Sequence, residues 1–154
     1  MFEVIEKFKG VNICVVGDAM LDRYIFGEVN RISPEAPIPV IRMTEMKEVL
    51  GGAANVAHNV VALGGKAVLI SRIGKDRDGK KLKKMCEKTG IKAHFYQSRH
   101  PTIVKTRYIG KGQQMLRVDR EEVAEESFNY NKIENYLKAS DFIIVSDYAK
   151  GFVT

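Results

Sequence analysis

Residues 12–18 read NICVVGD, an uninterrupted apolar run that stops at Gly17 and is followed at once by a carboxylate. A short apolar run that ends at glycine is typical of a β-strand buried on both faces of a parallel sheet. Residues 66–73 (KAVLISRI) and residues 141–146 (DFIIVS) repeat this pattern, and a further strand is expected over residues 91–97. These segments predict the core sheet of an α/β protein.

Helical patterns lie between these strands. Residues 53–65 (AANVAHNVVALGG) follow Gly51 and Gly52 and place small apolar side chains at helical spacing up to a pair of glycines. Asp76 is expected to cap a second helix, which ends at Gly90. Strands that alternate with helices at this spacing indicate parallel strands joined by crossover helices. We therefore predict an α/β fold with a doubly wound parallel sheet.

A different pattern interrupts this alternation. Residues 23–29 and 38–46 alternate loosely between apolar and polar side chains, and three of the four prolines lie within residues 34–39. Because proline confines strands to sheet edges or excursions, we expect this block to leave the main sheet and return to it. Residues 102–109 and 114–119 flank a Gly-Lys-Gly turn and predict a β-hairpin.

The two ends of the chain carry weaker signals. Residues 2–8 show a short apolar helical face, and Ser127 or Asn131 is expected to cap a helix before the last strand. That strand is as apolar as the first, so it requires helices over both of its faces. Thr154 stands where the N-cap of the next helix is expected. We therefore expect a C-terminal portion of the fold to be missing from this chain.

The 154 residues are 45% hydrophobic and 29% charged, a composition that is typical of globular domains and excludes collagen-like and disordered chains. No apolar run approaches the ~20 residues of a membrane helix. Cys14 and Cys86 form neither a disulfide framework nor a metal spacing, which fits a reducing cytoplasm. The net charge of +6 favours anionic partners. Because the basic residues are scattered, and the densest cluster (80–84) has the pattern of a solvated helix face, no nucleic-acid partner is expected.

Several polar groups follow the ends of predicted strands, where open α/β sheets bind ligands. Asp18 and Asp22 follow the first strand, and Asp147 follows the last one. Their carboxylates either accept hydrogen bonds from sugar hydroxyls or cap the loops. Gly51 and Gly52 either open a helix whose free N–H groups bind a ligand or form a tight entry turn. The spacing fits neither a Walker A loop nor a dinucleotide-binding fingerprint.

Side chains on the helix and the hairpin extend this set. Asn55 lies one turn into the helix and can point to the same place. Arg107 and Arg117 lie on the predicted hairpin, where guanidinium groups can bind a phosphate with two hydrogen bonds. Such arginines more often form weak ion pairs at the surface, so a phosphate-binding role and a surface role both remain open. The three histidines are spread out without ligand spacing, and no metal site is expected.

Four stretches together resemble a known family: residues 17–42 (GDAMLDRYIFGEVNRISPEAPIPVIR), 51–65 (GGAANVAHNVVALGG), 100–122 (HPTIVKTRYIGKGQQMLRVDREE) and 145–151 (VSDYAKG). They are similar to the ribokinase-like (PfkB) carbohydrate kinases. Within that family they resemble the D-glycero-β-D-manno-heptose-7-phosphate kinases, including the kinase half of the bifunctional heptose enzymes of lipopolysaccharide-core biosynthesis. The similarity runs from about Val11 to the end of the chain.

The resemblance implies a ribokinase-like fold with a small β-lid, built from about residues 23–46 and 102–119, which covers the sugar and mediates a homodimer. It implies transfer of a phosphoryl group from ATP, with Mg²⁺, to the anomeric hydroxyl of a phosphorylated sugar in the cytoplasm. The positions that it implies for the sugar are Asp18, Gly51, Gly52, Asn55 and Asp147. The positions that it implies for the 7-phosphate of the substrate are Arg107 and Arg117.

The chain departs from the family pattern in one respect. In these kinases the ATP pocket, the Gly-rich anion hole and the catalytic aspartate of a GAGD motif belong to the C-terminal half, and no GAGD occurs here. We therefore expect no catalytic residue and no complete ATP or Mg²⁺ site in residues 1–154, and the chain alone is expected to be inactive. Another PfkB sugar or nucleoside kinase, or a non-catalytic sugar-phosphate-binding fragment, remains an alternative.

Overall fold

A computed structural model describes residues 6–123 and 129–153, and within these ranges the chain forms two four-stranded sheets and three α-helices. The strands are β1 (Asn12–Gly17), β2 (Ala19–Ile32), β3 (Pro39–Gly52), β4 (Lys66–Gly74), β5 (Lys92–Ser98), β6 (Val104–Gly110), β7 (Gln113–Arg120) and β8 (Phe142–Ser146). The helices are α1 (Ala53–Ala62), α2 (Arg77–Lys88) and α3 (Glu134–Lys138), and a 3₁₀ turn spans Tyr130–Lys132.

The core sheet is parallel and has the strand order β5-β4-β1-β8. On one face, Val15 and Leu69 pack in a buried cluster with Leu82 of α2 and the alanine-rich side of α1. On the other face, Cys14 packs with Ile133 beside α3. Helices on both faces of a parallel sheet confirm the predicted doubly wound α/β fold.

The elements with the clearest patterns lie close to their predicted bounds. Strands β1, β4 and β8 match the apolar runs, and α1 ends before the predicted glycine pair. Asp76 caps α2 as expected, because its Oδ1 atom accepts a hydrogen bond from the N–H of Gly79 at 2.7 Å.

The predicted excursion forms a second sheet, the lid sheet, with the strand order β3-β2-β6-β7. Strands β2 and β6 run parallel, and the other two pairs are antiparallel. The observed strands are longer than predicted, because β2 begins at Ala19 and β3 continues to Gly52. Asp22, which was predicted to lie in a loop, therefore lies on β2. The lid sheet is directly continuous with the core, because β2 begins just after β1 and β3 leads straight into the start of α1.

The C-terminal part of the chain differs from prediction. The 3₁₀ turn is capped by Asn129, whose side chain accepts a hydrogen bond from the N–H of Asn131, so the predicted cap at Asn131 is wrong. Ser127, Thr154 and residues 2–5 lie outside the described residues.

Strand β8 forms an edge of the core sheet and is more exposed than its sequence predicts. Phe142 is 64% exposed and Val145 is 59% exposed, although these side chains are apolar. No described helix combines the length and the apolar character that crossing a bilayer requires.

Candidate functional site

Asp18 joins three elements at the carboxyl end of the core sheet. Its backbone N–H donates to Ser146 of β8, and its carbonyl accepts from Ala53 at the start of α1. Its Oδ2 atom accepts hydrogen bonds from the backbone N–H groups of Tyr148, at 2.9 Å, and Lys150, at 3.2 Å. These bonds hold residues 147–150, here called the site loop. Asp18 is only 1% exposed, so its buried carboxylate fixes the position of the site loop.

Gly51 and Gly52 allow this close approach between β3, α1 and the end of β1. At Gly52 the backbone has φ of +54°, and a Cβ atom there would lie 2.2 Å from the carbonyl oxygen of Asp18. At Gly51 a Cβ atom would lie 2.4 Å from the Oδ2 atom of Asp22. Gly52 therefore requires glycine, whereas a side chain at Gly51 would displace the carboxylate of Asp22.

Asp22 is a candidate site residue to which the sequence pattern points only weakly. Its Oδ1 atom accepts a hydrogen bond from Nη1 of Arg107 at 2.5 Å, and its side chain remains 17% exposed. Arg107 also lies over the ring of Tyr24, with its guanidinium carbon 5.3 Å from the ring centroid. The hydrogen bond from Arg107 to Asp22 raises the pKa of Arg107, against the opposing effect of burial. Asp22 thus contacts both Gly51, at the end of β3, and Arg107 on β6.

Arg107 on β6 lies directly opposite Arg117 on β7. Like charges in this arrangement destabilise a sheet, so an unfavourable pair of this kind indicates a functional constraint. Arg117 is partly neutralised by Asp119, whose Oδ1 atom lies 3.0 Å from Nε of Arg117. Its side chain is nevertheless 51% exposed. The structure therefore brings the two predicted arginines together as a pair that can bracket an anion.

The strand registers separate the lid sheet into two faces of different character. The charged lid face carries Asp22, Lys105, Arg107, Arg117 and Asp119, since these residues occupy matching or alternate positions on adjacent strands. The apolar lid face carries Met46, Leu116 and Val118, which are 51%, 56% and 47% exposed.

The cations of the charged lid face are held in place by neighbouring carboxylates. Nζ of Lys105 lies 2.9 Å from Asp119 and 3.0 Å from Glu121. The hydrogen bond from Lys105 lowers the pKa of Asp119, and burial opposes this effect only in part. Carboxylates therefore balance the positive charges near Arg107 and Arg117.

The remaining two predicted residues lie at the rim of this site. Asp147 belongs to the site loop, and its Oδ1 atom accepts a hydrogen bond from the N–H of Ala149 at 2.7 Å. Asn55 lies in the first turn of α1 and lines a groove of about 490 Å³ between β3, α1 and α2. Its side chain is exposed at this position. Asp147 thus precedes Tyr148, whose N–H binds Asp18, whereas Asn55 faces the neighbouring groove.

Two contributors to the site carry no local sequence signal. Lys150 of the site loop forms an ion pair with Glu121, which follows β7, at 2.8 Å. These residues are 29 positions apart in the chain, so neither strand periodicity nor a motif predicts their contact.

The comparison with protein families gives one match that covers most of the chain. The model of the pfkB family carbohydrate kinases matches residues 11–153. The chain is 44% identical, over 95% of its length, to the D-beta-D-heptose 7-phosphate kinase of Bordetella bronchiseptica. It is 46% identical, over 96% of its length, to the bifunctional protein HldE of Caulobacter vibrioides. It spans 48% of the first relative and 31% of the second.

Solved structures of sugar kinases share the fold. The acarbose kinase Mak1, derived from a microbiome, superimposes with a TM-score of 0.69 at 23% identity, over 89% of this chain and 46% of that one. Ribokinase from Thermotoga maritima gives a TM-score of 0.61 at 23% identity, over 86% of this chain and 44% of that one. These likenesses confirm the expected ribokinase-like fold, of which this chain covers part. The family match over residues 11–153 shows that the chain belongs to the pfkB family of carbohydrate kinases.

Proposed function

We propose that this chain is the sugar-phosphate-binding part of an ATP-dependent carbohydrate kinase. The observation that carries the proposal is the opposed pair of Arg107 and Arg117 on the charged lid face, next to the carboxylate of Asp22. Guanidinium groups bind phosphate oxygens with paired hydrogen bonds, and carboxylates accept hydrogen bonds from hydroxyl groups. A sugar that carries a phosphate satisfies both kinds of group at once.

We assign the sugar to the space between the charged lid face and the start of α1. Asp22 and Asp147 accept hydrogen bonds from its hydroxyl groups. We keep Asn55 as a sugar contact, which requires its amide at the start of α1 to turn from the neighbouring groove toward the lid. Gly51 and Gly52 let the backbone approach the ring. Asp18 holds the site loop by accepting hydrogen bonds from the N–H groups of Tyr148 and Lys150. In this proposal the five positions expected to bind the sugar keep that role: Asp18, Gly51, Gly52, Asn55 and Asp147.

The substrate that we propose is D-glycero-β-D-manno-heptose 7-phosphate, phosphorylated at its anomeric hydroxyl in the lipopolysaccharide-core heptose pathway. The 44% identity to a D-beta-D-heptose 7-phosphate kinase supports this choice within the family. Another PfkB sugar or nucleoside kinase is the alternative. A nucleoside carries no phosphate and would leave Arg107 and Arg117 without an external partner, so the arginine pair favours the phosphorylated sugar.

Calorimetric titration of the chain with heptose 7-phosphate and with the unphosphorylated heptose tests this proposal. Arg117→Gln should weaken binding of the phosphorylated sugar by about tenfold, because a charge-assisted pair of hydrogen bonds is lost. It should leave the weaker binding of the unphosphorylated sugar unchanged. Arg42→Gln is the matched control, since Arg42 pairs with Glu28, which lies on β2 six positions beyond Asp22. Equal affinities of the Arg117 variant and the unaltered chain for the phosphate would contradict the proposal.

We derive no step of phosphoryl transfer from these residues. The reaction requires ATP and Mg²⁺, which position and neutralise the transferred group. Among the described residues, no three His, Cys, Asp or Glu side chains come together as a set that could hold the ion. We propose that a second polypeptide segment supplies the nucleotide site, in the cytoplasm, and that it docks on β8, where Phe142 and Val145 are exposed.

Co-expression with the C-terminal half of the Bordetella bronchiseptica relative tests the docking. Release of ADP with phosphorylation of heptose 7-phosphate should appear in the mixture and be absent from either half. Val145→Lys should abolish the complementation, because it places a charge on the exposed face of β8, which is 59% exposed at this residue. Turnover by the 154-residue chain alone would refute this division of the site.

We also propose that the apolar lid face pairs with the same face of a second copy. Met46, Leu116 and Val118 form a row of exposed apolar side chains, and burial of such a row against itself removes it from water on both copies. Leu116→Lys should convert a dimer to a monomer in sedimentation equilibrium. Gln113→Lys, at the exposed end of β7, is the control of equal charge. A monomeric unaltered chain at micromolar concentration would contradict this pairing.

A further inference from the structure

Lys150 connects the core sheet to the lid sheet through three separate groups. Its N–H donates to the buried carboxylate of Asp18 at 3.2 Å. Its carbonyl accepts a hydrogen bond from the guanidinium of Arg72 on β4. Its ammonium lies 2.8 Å from Oε1 of Glu121. The backbone of Lys150 is therefore fixed to the core, while its side chain reaches the lid.

Glu121 receives this side chain at the base of the charged lid face. Its second oxygen, Oε2, lies 3.0 Å from Nζ of Lys105 on β6. The side chains of Lys105, Glu121 and Lys150 are 14%, 26% and 19% exposed, so water screens these ion pairs less than pairs on an open surface. The carboxylate of Glu121 thus bridges a lid strand and the site loop.

The lid sheet is also attached to the core on its opposite face. Asp78 of α2 accepts hydrogen bonds from Arg23 of β2, at 2.8 Å, and from Arg120 of β7, at 2.7 Å. This second attachment fixes the lid to α2 and does not involve the site loop. The bridge through Glu121 is the one on the side where Asp22, Arg107 and Arg117 lie.

We propose that Glu121 is a positioning residue for sugar-phosphate binding. It fixes the distance between the arginine pair on the lid and the site loop on the core. The inference rests on the proposed function, because it names a residue that regulates the geometry of the same site. The sugar contacts the site loop through Asp147, and its phosphate contacts Arg107 and Arg117. A fixed separation between loop and lid lets one ligand contact both groups without first ordering the lid.

A double-mutant cycle on the full chain tests the proposal. The variants are Glu121→Gln, Lys150→Gln and the combination of both, and the readouts are the affinity for heptose 7-phosphate and the hydrogen exchange of β6 amides without ligand. Each single variant should weaken binding about three- to tenfold and increase β6 exchange by a similar factor, because each removes the same bridge. The double variant should be no weaker than either single variant.

Glu28→Gln is the matched control, because Glu28 pairs with Arg42 on the same lid but contacts neither the site loop nor α2. It should leave both readouts unchanged. Additive effects of the two single variants, or unchanged β6 exchange in Glu121→Gln, would overturn the proposal. If the unaltered chain binds no sugar phosphate, the proposed function fails, whereas the exchange measurement still decides whether Glu121 fixes the lid.

Discussion

Replacing Asp76 should be among the most damaging single changes to this chain. Asp76 caps α2 through the N–H of Gly79, at 2.7 Å, and also accepts hydrogen bonds from Thr102 through its N–H, at 2.9 Å, and its hydroxyl, at 2.8 Å. Thr102 is 2% exposed and lies just before β6, so Asp76 ties the start of the lid hairpin to α2. One carboxylate therefore satisfies donors from two distant segments.

The magnitude follows from these contacts. Asp76→Ala removes a helix cap, at a cost of about 1 kcal/mol. It also leaves two buried donors of Thr102 without an acceptor, at about 1–2 kcal/mol each. The free energy of unfolding should fall by about 3–5 kcal/mol in total. Asp76→Asn keeps one acceptor oxygen and should lose about half as much.

The ionisation of Asp76 adds a dependence on pH. Burial alone would favour the neutral form, but hydrogen bonds from the N–H groups of Gly79 and Thr102, the Thr102 hydroxyl and the charge of Arg120 outweigh it and lower the pKa of Asp76. A lowered folded-state pKa contributes stability above the unfolded value of about 3.9, and this stability is lost as the pH falls through the folded value. Asp76→Asn should therefore lose less stability than the unaltered chain when the pH is lowered below about 4.

Urea unfolding followed by circular dichroism measures these differences at pH 7 and at a series of acidic values. Glu45→Gln is the matched carboxylate-to-amide control, because Glu45 is exposed on β3. It should change the free energy of unfolding by less than about 0.5 kcal/mol. A loss below about 1 kcal/mol for Asp76→Ala would refute the reasoning, since it would mean that Thr102 does not depend on this carboxylate.

Three other changes test separate parts of the structure. Gly52→Ala should destabilise the fold by more than about 2 kcal/mol in urea unfolding, because φ is +54° and the new Cβ would strike the carbonyl of Asp18. Lys111→Asn should stabilise the fold by about 0.5–1 kcal/mol in the same assay, because Lys111 has φ of +50° in the β6–β7 turn, which asparagine tolerates better. Burial raises the pKa of the Cys86 thiol to about 12, so iodoacetamide should label Cys86 at pH 8 only after unfolding, as mass spectrometry would detect.

The core sheet could be predicted from the sequence because its signal is local. Strands β1 and β4 are buried on both faces, so most of their side chains are apolar, and each strand ends at a glycine. The bounds of the lid strands were predicted less well for a physical reason. One face of the lid sheet is charged, and the other combines exposed apolar side chains with Arg23 and Arg120. In addition, β3 has a bulge opposite Gly27, which interrupts its alternation.

The binding site was only partly predictable, because its geometry depends on contacts between distant residues. The strand-end position of Asp18 was evident, but its burial by the site loop, 130 residues later, was not. Asp22 was expected to lie in a loop after β1. In the structure only Asp18 separates β1 from β2, and no local pattern marks where the second strand begins. Local periodicity cannot predict the ion pair between Glu121 and Lys150, because these residues are 29 positions apart. The sequence therefore predicts the candidate groups of the site without their partners.

A single extra residue in the β6–β7 hairpin decides which side chains face the proposed ligand. The turn pairs Ile109 with Gln114, and an unbroken register would then place Arg107 opposite Leu116. Met115 is the bulged residue that shifts the pairing, so that Arg107 instead lies opposite Arg117. Because side chains alternate along a strand, a shift of one residue exchanges the two faces of β7 beyond the bulge. Beyond the bulge, Arg117 and Asp119 therefore lie on the face of Asp22 and Arg107, whereas Leu116, Val118 and Arg120 lie on the opposite face.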